Sequence, residues 1–182
     1  IPGTVGGALA MNAGCYGGET WRHVLRVEVL TRDGRFEQRA ADAYSIGYRT
    51  VRTRDSRAPD GIFTAVWLRF VPGDADASRA TIRELLRRRI ETQPLELPNA
   101  GSVFRNPQGD HAARLIESCG LKGFAIGNAR ISEKHANFIV NPHGEARAAD
   151  IEALIAHARN TVRERTGIDL EAEVRIIGEV SR

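Results

Sequence analysis

The chain has 182 residues, 42% hydrophobic and 27% charged, which is the balance of a folded protein with a core and excludes a disordered chain. Lys and Arg number 26 against 23 Asp and Glu, and a net charge of +3 is too small to point to nucleic acid. No run approaches the ~18 apolar residues of a membrane span and no secretory leader pattern is present, so a cytoplasmic protein without a membrane partner is expected.

The first element is a loop. Residues 1–20 hold Gly3, Gly6, Gly7, Gly14, Gly17 and Gly18 among small and apolar neighbours. Such a stretch lets the backbone approach a ligand closely or take positive φ. It reads either as a structural turn or as a run of exposed N–H groups that cradles a pyrophosphate or a flavin edge. The chain opens inside this motif and without methionine, as a truncated or processed chain does. Leu25 to Thr31 alternates, with Leu25, Val27 and Val29 assigned to one face. Asp33-Gly34 marks a hairpin turn, Phe36 to Arg39 the return strand, and Ile62 to Phe70 a third β run.

Pro72-Gly73-Asp74 then punctuates the chain. Ile82, Leu85, Leu86 and Ile90 follow helical spacing until Pro94, and Arg87-Arg88-Arg89 among Glu84 and Glu91 reads as a solvated helix face. A basic site for an anionic substrate is compatible with the same residues. His111 to Cys119 predicts a short helix with Leu115, Ile116 and Cys119 inward and Gly120 at its end. Phe138 to Val140 is a buried strand. Ile151, Leu154, Ile155, Ala158 and Val162 give an amphipathic helix ended by Gly167. Leu170 to Ile177 alternates as a last strand, with Glu173 turned away from Leu170, Val174 and Ile176. Cys15 and Cys119 read as reduced thiols, and no metal site is expected.

Five motifs in order carry a resemblance. Ile1–Gly17, Gly47-Tyr48-Arg49, Gly101–Pro107, Lys134–Asn141 and Leu170–Val174 resemble the signatures of the UDP-N-acetylenolpyruvoylglucosamine reductases, flavoenzymes of peptidoglycan precursor synthesis. The absence of a long insertion before Lys134 is similar to the shorter subclass, which lacks a tyrosine-bearing loop. The resemblance implies an α+β fold. Residues 1–75 would be the C-terminal part of a VAO/PCMH-type FAD-binding domain, 76–94 a connecting helix, and 95–182 a smaller α/β substrate-binding domain. It implies FAD as cofactor, NADPH as electron donor, UDP-N-acetylglucosamine enolpyruvate as substrate, and a monomer.

Position by position, the resemblance gives Ser102 the role of proton donor to C2 and Arg49 that of a cation over the substrate carboxylate. Glu173 becomes a general acid/base or substrate polariser. Ile1, Pro2, Gly3, Thr4, Val5, Gly6, Gly7, Ala8, Asn12 and Gly14 fall in the cofactor-binding segment. Tyr48, Asn106, Lys122 and Lys134 fall at substrate positions. Val51, Thr53 and Thr92 depart from the family pattern, which carries serine, phenylalanine and lysine there. The family's upstream glycine-rich loop for the FAD pyrophosphate is not in this chain, so weak FAD binding by this piece alone is expected. Another flavin oxidoreductase of the same architecture and a catalytically silent fragment are the competing readings.

Overall fold

Alternating apolar residues place a three-stranded antiparallel sheet at the centre of the first unit. The computed structural model describes residues 3–55, 57 and 60–178. A short helix, α1 (Val5–Ala10), follows the N-terminal loop, and a tight hairpin of β1 (Gly14–Cys15) and β2 (Gly18–Glu19) leads into β3 (Val24–Thr31). β3 turns at Asp33-Gly34, where Gly34 takes φ 82°, into β4 (Phe36–Ala40). β5 (Tyr44–Gly47) and β6 (Thr50–Thr53) form a separate hairpin, and β7 (Gly61–Leu68) returns to the sheet, giving the order β4-β3-β7.

The core of this unit holds Leu9, Trp21, Val24, Val27, Val29, Tyr44 and Val51. Trp21 anchors it: its indole N–H donates to the Leu9 carbonyl at 2.7 Å, and its ring lies 4.9 Å from that of Tyr44. Leu25 does not join the core, contrary to its assigned face, and is 41% exposed. The pairing explains the difference. Val24 faces Leu68 and Arg26 faces Trp67, so a bulge at residue 25 turns Val24 inward and expels Leu25.

α2 (Ala75–Thr92) follows, and none of its residues is buried. Its apolar stripe of Ile82, Leu86 and Ile90 is exposed. Arg87 pairs with Glu84 at 2.7 Å and with Glu91 at 2.5 Å, as expected of a solvated face.

The chain divides into two compact units, the first running to Ala80 and the second beginning at Thr81. The second contains β8 (Asn99–Ser102), α3 (Ala112–Ser118), β9 (Ala125–Ile126), β10 (Ala129–Ile131), β11 (Phe138–Val140) and α4 (Ala148–Thr166). Its antiparallel sheet runs β8-β11-β10-β9, and Leu154, Ala158 and Val162 of α4 are buried in its core with Leu115 and Ile116 of α3. Gly167 ends α4 at φ 74°, its N–H donating to the Arg163 carbonyl at 2.9 Å. The expected last strand is shorter than its alternation suggests. Ala172 bridges to Phe104, but past Val174 no strand forms among the described residues, and Ile177 is 91% exposed. Alternation alone does not make a strand where no neighbouring edge takes up its N–H and C=O groups.

Candidate active site

In the first unit, Arg49 sits at the tip of the β5–β6 hairpin, where Gly47 pairs with Thr50 and only Tyr48 and Arg49 form the loop. Arg49 adopts φ 52°, a left-handed conformation uncommon for a residue with a Cβ, and such geometry concentrates at functional turns. Its guanidinium donates to the Gly14 carbonyl at 3.4 Å and lies 5.2 Å from the centre of the Tyr48 ring. Gly14 has little alternative: a Cβ there would fall 2.4 Å from the Gly18 carbonyl oxygen across the β1–β2 hairpin.

Asn12 joins the glycine-rich segment to this turn. The residue is fully buried; its Nδ2 donates to the Gly47 carbonyl at 3.1 Å, and its Oδ1 accepts from the Trp21 N–H at 3.2 Å. Its carboxamide is therefore engaged within the protein, holding the root of the Arg49 hairpin. The structure spreads the other expected cofactor residues over two surfaces. Gly3, Thr4, Val5 and Ala8 line a groove of about 380 Å³, shared with His23 and Phe70. Gly6 and Gly7 face a separate pocket beside β7, and a Cβ on Gly6 would sit 3.3 Å from the Phe63 carbonyl oxygen. Ile1 and Pro2 lie outside the described residues.

The remaining groove walls come from Ala13, Cys15, Gly18, Glu19, Thr20 and Leu68. Ala13 and Cys15 lie within the Ile1–Gly17 motif but are not among the expected cofactor residues, and the others lie outside any motif. Thr4 caps α1, accepting from the Gly7 N–H at 3.0 Å. The departures in the hairpin also find a place: Val51 is buried beside Tyr44 in the core, and the Thr53 hydroxyl donates to the Arg57 carbonyl at 3.2 Å.

In the second unit, Ser102 ends β8 opposite Phe138 of β11. Gly101, at φ 80°, turns the strand just before it. The chain then leaves β11 and pairs with the C-terminal segment. The N–H of Glu173 donates to the Val103 carbonyl at 2.8 Å, and that of Arg105 to the Glu171 carbonyl at 2.9 Å. Arg105 and Glu171 also form an ion pair at 3.0 Å. Ser102 and Glu173 thus stand on adjoining stretches of one hydrogen-bonded strip. Both are half-buried.

Asn106 accepts the Ala112 N–H at 3.1 Å and so helps start α3. Lys122 pairs with Glu117 at 2.7 Å and Lys134 with Glu96 at 3.6 Å. Burial pushes the His135 imidazole below its usual value, and the Lys122 charge adds to that shift. Thr92 bonds the Arg88 carbonyl at 2.8 Å within α2, and so supplies a helix-end hydrogen bond where the family pattern carries a cation. Among the described residues no cluster of His, Cys, Asp and Glu is placed to hold a metal, and no helix is long and apolar enough to cross a membrane.

Comparison with known proteins adds to this geometry. Residues 93–177 match the model of the UDP-N-acetylenolpyruvoylglucosamine reductase C-terminal domain, and residues 1–38 that of an FAD binding domain. The UDP-N-acetylenolpyruvoylglucosamine reductase of Thiobacillus denitrificans is 56% identical over 98% of this chain and 54% of its own length. That of Legionella pneumophila is 51% identical over 100% of this chain and 58% of its own. The chain is thus similar to UDP-N-acetylenolpyruvoylglucosamine reductases along essentially its whole length. A crystal structure of the Thermus caldophilus reductase, 38% identical, superposes with a TM-score of 0.77 over 95% of this chain and 60% of that one. The fold is therefore α+β, part of an FAD binding domain followed by the reductase C-terminal domain. The chain spans about half the length of the curated relatives it matches.

The first unit suits part of the cofactor that the domain model names. The groove is open, mostly apolar and walled by small side chains, and Thr4, Glu19 and Thr20 provide polar groups at its edge.

Proposed function

We propose that the protein carrying this chain reduces UDP-N-acetylglucosamine enolpyruvate to UDP-N-acetylmuramate with NADPH as electron donor, in peptidoglycan precursor synthesis. The observation that carries the reading is the Ser102–Glu173 strip in a chain whose residues 1–38 match the FAD binding domain and 93–177 the reductase C-terminal domain. When bound, FAD would supply the hydride-transfer chemistry that links the nicotinamide to C3 of the enolpyruvyl group. Gly3, Thr4, Val5 and Ala8 are the residues here that would hold it.

The protein's own groups manage charge and protons. As hydride arrives at C3, negative charge develops at C2 and spreads into the carboxylate. Arg49, a permanently charged fork, pairs with that carboxylate and lowers the energy of the enolate. Ser102 delivers the proton to C2. A free serine is a weak acid, so its proton must leave as charge at C2 builds and be replaced through neighbours. Glu173, on the adjoining strand, acts on the same centre as acid/base or polariser. Lys122 and Lys134 face the diphosphate, with Tyr48 and Asn106 on the sugar nucleotide.

The test is NADPH oxidation by the full-length protein. Oxidation that depends on the enolpyruvyl sugar nucleotide and yields UDP-N-acetylmuramate supports the reading; oxidation indifferent to that substrate overturns it. The 182-residue piece alone binds FAD weakly on this reading, since the groove lined by Gly3, Thr4, Val5 and Ala8 is open. Purification with a full equivalent of flavin, read from its visible absorption band, would contradict that.

A further inference from the structure

Residue 137 makes an unusual set of bonds. Its backbone carbonyl accepts the Val103 N–H at 2.9 Å, its Oδ1 accepts the Phe104 N–H at 2.9 Å, and its Nδ2 donates to the Phe104 carbonyl at 2.8 Å. The Asn137 side chain is 3% exposed, so these bonds form away from solvent. Phe104 is 2% exposed and lies two residues past Ser102. Here the chain leaves β11, whose pairing with β8 ends at Ser102–Phe138, and crosses to the segment carrying Glu173. A strand that changes partners would leave the Phe104 N–H and C=O unpaired in the core. The Asn137 carboxamide satisfies both, acting as one extra residue of strand.

We infer that Asn137 is a positioning residue for proton delivery, fixing the Val103–Phe104 backbone against which both Ser102 and the Glu173 segment are set. The inference rests on the proposed reductase reading. Its physical basis is that the same short backbone accepts the Glu173 N–H at the Val103 carbonyl, so a shift at Phe104 moves both groups. Asn137 touches neither substrate nor cofactor on this account. Its effect is confined to the second unit, and the Arg49 hairpin and the flavin groove belong to the first.

The experiment uses the full-length protein with Asn137→Leu, which keeps nearly the same volume and removes both side-chain bonds, and Asn137→Asp. In Asn137→Leu, reoxidation of the NADPH-reduced protein by the enolpyruvyl substrate slows about 100-fold, the order expected for a displacement near 1 Å, while reduction by NADPH is unchanged. Hydrogen exchange at the Phe104 amide speeds about tenfold, as for loss of one buried hydrogen bond, with no change in the first unit. Asn137→Asp provides rescue. As a carboxylate it faces the Phe104 carbonyl without a donor, but once protonated it offers the O–H and C=O that the amide offered. Reoxidation by this variant therefore recovers as pH is lowered, relative to the wild-type profile, and burial raises the pH at which recovery begins. Equal slowing of both half-reactions, or no recovery in Asn137→Asp at low pH, overturns the inference. Failure of the wild-type protein to be reoxidised by the enolpyruvyl substrate instead strikes the reductase reading itself.

Discussion

Replacing Asn12 with alanine removes a tie between the glycine-rich segment and the Arg49 hairpin, and its cost follows from three local losses. The Trp21 N–H loses its acceptor in a buried position, worth about 1–3 kcal/mol. The bond to the Gly47 carbonyl is only partly buried, and its loss costs about 1 kcal/mol. Asn12 also sits at φ 43°, where alanine pays about 1–2 kcal/mol that asparagine largely avoids. The expected destabilisation is about 3–6 kcal/mol, a large part of the ~5–15 kcal/mol typical of a domain. Both tryptophans, Trp21 and Trp67, lie in the first unit, so urea unfolding followed by their fluorescence reports that unit alone. Asn12→Gly removes the same bonds without the backbone penalty and should lose about 1 kcal/mol less. A midpoint for Asn12→Ala equal to that of the wild type would refute the reasoning. So would a glycine variant less stable than the alanine one.

Two further predictions concern the second unit. The Asp110 carboxyl is held down to about 2 from its ordinary 3.8, chiefly by its hydrogen bond with Arg114 and then by the His111 N–H. A depressed folded value means stability that is present above pH ~4 and is lost as pH falls toward 2. An NMR titration should place Asp110 low in the wild type and move it up toward 3.8 in Arg114→Gln; an unchanged midpoint would show that the pair does not set it. Leu154→Ala removes a fully buried side chain of α4 and should cost about 2–5 kcal/mol, measured by thermal unfolding followed by circular dichroism. A loss below about 1 kcal/mol would mean that the α4 interface is not packed as described.

Short-range signals carried much of this structure into the sequence. Asp33-Gly34 marks the β3–β4 turn, and Gly120 and Gly167 mark helix ends, because each is a backbone demand met by one residue type. Leu25 misled because a bulge in one strand depends on the partner strand, some forty residues away. The alternation of 170–177 misled for a related reason, since it records apolar character and not the presence of an edge to pair with. Ser102, Glu173 and Arg49 stand as candidates through their motifs alone. What those motifs left hidden were the supporting amides: Asn12 bonds Gly47, 35 residues on, and Asn137 bonds Phe104, 33 residues back. The groove walls at Leu68 and Phe70 were hidden in the same way, as the apolar end of a strand that nothing in its own neighbourhood distinguishes.

The reductase reading is tested most directly by following its two half-reactions separately in the full-length protein and in Ser102→Ala. The account predicts that NADPH bleaches the flavin colour at the same rate in both. The enolpyruvyl sugar nucleotide then restores that colour rapidly in the wild type and hardly at all in the variant. Colour that the substrate does not restore in the wild type, or equal slowing of both steps in Ser102→Ala, would contradict it.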